Sequence, residues 1–202
     1  MKVIGLTGGI ATGKSTVSEI LSKLGAEIID ADKVGHQIYL PNTGAWKDII
    51  AAFGKDILLP DKTVNRPKLG GIVFNDKAAL KKLNHIVHPR MYKKFEEEIE
   101  LKRKKNDNKG VVVLDAAILI EANWLSLVDQ VWVVAADEDT VMDRLCSKKG
   151  FTKEHARSRI SSQLSDEERK KYADVIIENN GTMAEVEQRV YEAWKRIVTI
   201  QP

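Results

Sequence analysis

Cysteine is nearly missing from this chain of 202 residues: Cys146 stands alone. No intrachain disulfide can form, so stability must come from a packed core, and the composition fits a reducing compartment. Proline is scarce as well, at 5 residues, and with 13 glycines this excludes a collagen-like or low-complexity chain. Aromatics reach only 6%, and no apolar run approaches the ~20 residues of a membrane span. The stretch MKVIGLTGGIATGKS has one early lysine and an apolar part broken by Lys14, which makes a poor signal peptide. The cytoplasm is the expected location, with no membrane partner.

A strong excess of one charge is also lacking. The 32 Lys and Arg against 29 Asp and Glu leave a net +3, weak grounds for a nucleic-acid partner. The distribution says more. Residues 102–109 (KRKKNDNK) carry five basic residues and one acid, and residues 144–171 carry nine basic residues and four acids, which leaves the remainder at −6. The first patch follows Glu96, Glu97, Glu98 and Glu100, so Glu98–Lys102 and Glu100–Lys104 fit i,i+4 pairs on a solvated helix end.

What is present is ample apolar and charged sequence, 43% hydrophobic and 30% charged, enough for one domain carrying an inserted subdomain. Lys2–Thr7 reads as a buried strand ending in glycines, Ser15–Leu24 as a helix stopped by Gly25, and Glu27–Asp30 as a second strand. This βαβ start predicts an α/β fold, a parallel sheet flanked by helices. Helical patterns follow at Trp46–Phe53, Lys77–Val87 and Pro89–Lys105, with turn signals at Pro41–Gly44, Leu59–Asp61 and Gly70–Gly71. Gly110–Ala117 and Val128–Ala136 are continuous apolar runs, as strands buried on both faces require. Asp137–Lys171 is polar, basic and helical in pattern, Asp174–Glu178 a last strand, and Thr182–Ile200 an amphipathic helix. The expected organisation is a core of residues 1–30, 110–136 and 172–202, a helical insertion at 31–109 and a lid at 137–171.

Gly8, Gly9, Ile10, Ala11, Thr12, Gly13, Lys14 and Ser15 match G-x4-G-K-[ST], the P-loop. Glycines let the backbone turn tightly, so successive N–H groups point into one concavity that suits phosphate. The helix that follows adds its positive end. Lys14 reaches the β- and γ-phosphates, and the Ser15 hydroxyl ligates Mg²⁺. A nucleoside triphosphate with Mg²⁺ is the expected ligand set.

Phosphoryl transfer further needs an acceptor, a group that orients it, and charge neutralisation. Asp30 and Asp32 end the second strand, where ligands of parallel sheets gather. On position alone, Asp32 fits two roles equally, orienting an attacking hydroxyl or capping the next helix. Asp115 ends the third strand, placed either for Mg²⁺ or for solvation of a strand end, with Glu121 close behind. In the basic stretch, Arg144, Arg157 and Arg159 suit phosphate oxygens, whereas Lys148, Lys149, Lys153, Lys170 and Lys171 read as solvated surface. His85 and His88 lack the partners a metal site needs. Cys146, Trp124, Trp132 and Trp194 read as packing residues.

Together, VIGLTGGIATGKSTV, IIDADKVGHQ, RPKLGGIVF, LNHIVHP, VVVLDAAILIE, Arg144-Leu145, ARSRISSQ and ADVIIENNG resemble the dephospho-coenzyme A kinase family along essentially the whole chain. The resemblance implies a P-loop kinase with a helical substrate-binding insertion and a helical lid. It implies ATP as co-substrate, Mg²⁺, and phosphorylation of the ribose 3′-hydroxyl of dephospho-CoA to give coenzyme A and ADP. It assigns Gly8–Thr16, with Thr16 the last, to the ATP phosphates and Mg²⁺. Asp32 becomes the base or orienter, Arg66, Leu69, His88 and Pro89 fall in the acceptor domain, Arg144 and Arg159 are lid arginines, and Asn179 and Gly181 lie near adenine. Asp115 and Glu121 belong to the acceptor side, Asp115 with Ser15 also to the metal. The expected state is a monomer.

Four positions depart from the family pattern: Ala11 for glycine, Ala117 for proline, Ile120 for phenylalanine and Lys148 for arginine. Three other classes remain for comparison: a kinase of another small molecule, a GTP-binding switch, disfavoured by the lack of N-K-x-D, and a nucleic-acid-binding module, disfavoured by the locality of the basic runs.

Overall fold

The computed structural model describes residues 1–148 and 150–199. Lys149, the side chain of Lys148, and Ile200 lie outside the described part. The chain forms two compact units, one running from Asp30 to Glu98 and the other built from the rest.

The first unit is built on a five-stranded sheet. Its strands are β1 (Lys2–Gly8), β2 (Glu27–Asp30), β3 (Val111–Asp115), β4 (Gln130–Ala135) and β5 (Val175–Glu178), in the order β2-β3-β1-β4-β5. The β1–β3, β1–β4 and β4–β5 pairings are parallel. In β1, β3 and β4 the side chains are buried on both faces, which is why their apolar runs are continuous rather than alternating. Ile4, Leu6, Val113, Trp132, Val134 and Ile177 pack with α1 (Lys14–Lys23) and α9 (Met183–Thr199) through Val17, Leu21, Val186 and Val190. Each such burial contributes about 1.5–3 kcal/mol. Trp124 and Trp132 are buried and Trp194 packs against the core, as packing residues should.

Register places the functional loop. Leu6 pairs with Asp115 and Gly8 with Val134, so β1 delivers the glycine loop beside the end of β3. Gly25, at φ +101°, closes α1 by donating its N–H to the Ser22 carbonyl.

In the second unit, α2 (Ala31–Ile38), α3 (Gly44–Phe53), a tight turn at Lys55–Ile57 and α4 (Arg66–Val73) precede α5 (Lys77–Lys105). Two expectations are corrected here. First, His88-Pro89 does not separate two helices, since α5 runs continuously with Pro89 inside it. Proline removes one helical hydrogen bond, but Leu83, Val87, Met91, Phe95 and Ile99 repeat every four residues and are all buried. Second, Gly70-Gly71 is not a turn. Asn65 caps α4 by accepting from the Lys68 N–H, Pro67 favours the first turn, and Leu69 and Val73 are buried.

Between β4 and β5 the basic stretch folds as α6 (Glu138–Asp143), a wide i→i+5 turn at Arg144–Lys148, α7 (Lys153–Ser161) and α8 (Asp166–Lys170). Val141, Leu145 and Ala156 form its apolar centre, and Ile10, Ala11 and Cys146 pack against that centre. The terminal patch of α5 also differs from expectation. Lys102 pairs with Glu27 at 2.6 Å and Arg103 with Glu100 at 2.7 Å, because a neighbouring strand end offers Lys102 a partly buried carboxylate.

Candidate active site

The site begins with a helix that lacks a side-chain cap. Asp30, Thr43, Asn65, Thr152 and Ser165 cap α2, α3, α4, α7 and α8 by accepting first-turn N–H groups. Gly13 precedes α1 at φ +95° and supplies no such acceptor. The Thr16 N–H donates to the Gly13 carbonyl at 3.0 Å, which leaves the N–H groups of Lys14 and exposed Ser15 at the start of α1 for a ligand.

Three side chains hold the loop's shape from behind. Arg144 donates through Nη1 to the carbonyls of Ala11 at 3.2 Å and Thr12 at 3.3 Å. Through Nη2 it donates to the Asn179 carbonyl at 2.8 Å and to Asn179 Oδ1 at 3.2 Å. Asn179 is buried and donates from Nδ2 to the Thr12 carbonyl at 2.7 Å. Gln163, from the end of the basic hairpin, accepts the Ile10 N–H on Oε1 at 2.8 Å. Gly8 and Gly13 must be glycine, because a Cβ at Gly8 would overlap the Val134 carbonyl and one at Gly13 the Asn179 amide. Ala11 adopts φ +59°, the left-handed conformation that glycine would take without strain.

The Lys14 ammonium is ion-paired with the Asp115 carboxylate, and both groups are largely buried. Thr7 ties the neighbouring segment by donating its hydroxyl to the Ala117 carbonyl at 3.1 Å. Glu121 is held by Arg169, whose Nη2 donates to Oε1 at 2.7 Å. Arg169 is 1% exposed, donates from Nη1 to the Leu164 carbonyl at 2.6 Å, and lies 3.3 Å from where a Cβ would sit on Gly9. With Gly9, Ile10, Thr12, Gln163 and Asp166 it lines a cavity of about 410 Å³. Burial pushes the Asp166 carboxyl above the usual range, against hydrogen bonding and the Arg169 charge. Sequence reasoning missed Arg169 and Gln163 as site residues. A charge-rich run gives no sign that one arginine in it is buried.

Arg159 is exposed, and its Nε donates to His155 at 3.3 Å. Gly181 is exposed, and the Glu185 carboxylate folds back there to accept the Thr182 N–H at 2.7 Å.

Within the second unit, Asp30 is the cap of α2, accepting from the Asp32 and Lys33 N–H groups at 3.0 and 3.1 Å. Asp32 therefore does not cap that helix, and its carboxylate is exposed in the first turn. Arg66 is exposed, with its guanidinium 5.2 Å from the centre of the Tyr39 ring. Leu69 is buried and anchors α4, while Pro89 is exposed on α5. His88 is half-buried, and burial holds its imidazole below the ordinary range.

The arrangement offers a loop of N–H groups, a lysine and a strand-end carboxylate, which is the equipment of P-loop phosphoryl transfer. A family model described as dephospho-CoA kinase matches residues 2–185. A dephospho-CoA kinase of Geobacter sulfurreducens is 43% identical over 97% of this chain and 98% of its own length. One from Geobacillus kaustophilus is 44% identical over 96% and 95%. The solved dephospho-CoA kinase from Campylobacter jejuni superimposes with a TM-score of 0.71 at 30% identity, covering 96% of each chain. Shikimate kinase from Bacteroides thetaiotaomicron, at 13% identity and TM-score 0.56 over 98% of each chain, shares the P-loop kinase fold alone. By full-length family match and by relatives above 40% identity, this chain belongs to the dephospho-CoA kinase family.

Proposed function

We propose that this chain transfers the γ-phosphoryl group of ATP to the ribose 3′-hydroxyl of dephospho-CoA, giving coenzyme A and ADP as the last step of coenzyme A synthesis. The observation that carries the reading is the Lys14–Asp115 pair beside an uncapped α1, in a chain that matches dephospho-CoA kinases along its length. In the reaction the bond from the β,γ-bridging oxygen to γ-phosphorus breaks. A bond from the acceptor 3′-oxygen to that phosphorus forms, and the hydroxyl proton leaves.

Lys14 steadies the β- and γ-phosphates, and the Gly8–Thr16 loop encloses them. Asp32, free of capping duty, orients the 3′-hydroxyl or takes its proton. Asn179 and Gly181 border the adenine of ATP, and Arg66, Leu69, His88 and Pro89 belong to the acceptor domain, with Glu121 on the acceptor side. Arg144 is committed to the loop backbone, so its part is to hold the loop in shape. Arg159 is exposed and available to close over the phosphates and exclude water.

Ser15 and Asp115 would hold Mg²⁺. A hydroxyl and a carboxylate are the hard oxygen donors it prefers, with substrate phosphates supplying further oxygens. When bound, the ion neutralises charge on the phosphate oxygens. For Asp115 to meet it, the Lys14 ammonium must leave the carboxylate for phosphate.

Incubation with ATP, Mg²⁺ and a panel of acceptors tests the reading. ADP should form with dephospho-CoA and not with nucleosides, nucleotides or shikimate. Turnover of another acceptor in preference to dephospho-CoA would reject it.

A further inference from the structure

Gln163 lies in the short connection between α7 and α8, where the basic hairpin grips the phosphate loop. Its Oε1 accepts the Ile10 N–H at 2.8 Å across 153 residues of sequence. The Ile10 side chain packs against the apolar centre formed by Val141, Leu145 and Ala156, as Ile160 does. The third residue of the loop is therefore held by the hairpin twice, through its backbone and through its side chain. Arg144 and Asn179 bind loop carbonyls instead, so Gln163 is the one side chain among the described residues that takes a loop N–H.

The grip is stiff on the hairpin side. The Gln163 N–H donates to the Ile160 carbonyl at 3.2 Å, and the Ser162 hydroxyl donates to the Arg159 carbonyl at 2.8 Å. Buried Arg169 donates to the Leu164 carbonyl at 2.6 Å, while its other arm is fixed on Glu121. Ser165 caps α8. Each residue from Ser162 to Ser165 thus makes a bond that fixes it. Stability does not account for the arrangement. Gln163 is exposed, and one neutral hydrogen bond barely offsets the rotamer freedom that a glutamine loses. What the contact does fix is the last turn of α7, and that turn carries Arg159, four residues before Gln163.

We propose that Gln163 is a positioning residue for phosphoryl transfer. By holding Ile10 it seats the C-terminal end of α7 on the loop, which sets Arg159 over the γ-phosphoryl group and keeps water from it. Gln163 acts through Arg159 and touches no reacting atom. Without that seat, Arg159 meets the transferring group less often and water reaches it more. The inference rests on the function proposed above and names the residue that aligns its exposed arginine.

Initial rates of coenzyme A and of ADP formation, measured separately in Gln163 variants, test it. Gln163→Ala should lower kcat for coenzyme A formation by about 10- to 100-fold, the scale of a misplaced group. ADP should then form faster than coenzyme A, whereas the parent keeps the two in step. KM for dephospho-CoA and the melting temperature should stay near those of the parent, since the side chain is exposed. Gln163→Glu is isosteric and still accepts the Ile10 N–H, so it should recover most of kcat at saturating ATP. Its added charge beside the loop should raise KM for ATP. In an Arg159→Ala background, Gln163→Ala should slow turnover little further, because the residue it positions is gone. Additive losses in that double variant would overturn the inference by placing the action of Gln163 elsewhere. So would a Gln163→Glu protein as impaired as Gln163→Ala at saturating ATP. A wild type inert toward dephospho-CoA would remove the proposed function and this inference together. Wild-type turnover beside parent-like rates in Gln163→Ala, with ADP still matched to coenzyme A, would remove the inference alone.

Discussion

The Lys14 ammonium rests on the Asp115 carboxylate, so the cation proposed to steady phosphate and the carboxylate proposed to hold the metal neutralise one another. On the proposed function, nucleotide and metal divide this pair. Asp115→Asn removes the competitor for Lys14. ATP binding measured in the presence of a chelator should be retained or tightened, while Mg²⁺-dependent turnover falls by about 10²–10³-fold, the scale of one lost electrostatic contact to the transferring group. Normal turnover in this variant would take Asp115 out of the reaction.

Arg144 joins the Ala11 and Thr12 carbonyls to Asn179 through a single guanidinium. Arg144→Ala should lower stability by about 2–3 kcal/mol, since hydrogen bonds from a charged donor are each worth more than neutral ones. In a chain of this size that is a melting shift of roughly 4–12 °C. Arg144→Lys should recover little, because one ammonium lacks the planar fork needed to span these acceptors. Full recovery by lysine would show that charge alone matters there.

Gly13 sits at φ +95°, and the Asn179 amide occupies the space a Cβ would need. Gly13→Ala should destabilise the protein by more than about 2 kcal/mol, strain at positive φ adding to the overlap. Asn179→Ala in the same chain removes the overlap but not the strain, so the double variant should be less damaged than the sum of the singles. Chemical denaturation of the four proteins measures this, and strict additivity would contradict the contact.

The P-loop, the strands and Gly25 were readable because each rests on local chemistry: glycine conformations, apolar runs and a positive φ. Pro89 misled because a local helix breaker was overruled by a buried stripe extending on both sides of it. Arg169 was invisible because its burial against Leu164 and Glu121 depends on pairing across 48 residues of sequence. Lys102 likewise found Glu27 across 75 residues, in place of its helical neighbour Glu98. Position alone also left Asp32 balanced between two roles, and the geometry of Asp30 removes the capping one.

Because Asp30 does the capping, Asp32→Asn should leave helix α2 and ATP affinity intact. Turnover should fall by about 10²–10⁴-fold if the carboxylate assists the 3′-hydroxyl. Calorimetric ATP binding together with kcat separates the two effects, and near-normal kcat would remove Asp32 from the chemistry.

His88 supplies a pH dependence. Its imidazole is held below the ordinary 6.5 by burial, so the folded protein binds that proton less readily than the unfolded chain. Stability from this group is complete above 6.5 and declines as pH falls from there toward the lower folded value. Melting temperatures taken across that window should decline less steeply in His88→Gln than in the parent. Parallel slopes would show that His88 does not titrate with folding.

The most direct measurement follows the phosphorus itself. ATP labelled at its γ-phosphate is incubated with the protein, Mg²⁺ and dephospho-CoA, and the labelled product is analysed by mass and by phosphorus NMR. The label should appear as a monoester on the ribose 3′-oxygen of coenzyme A, in step with ADP. Label found in inorganic phosphate, on another oxygen or still in ATP would contradict the account.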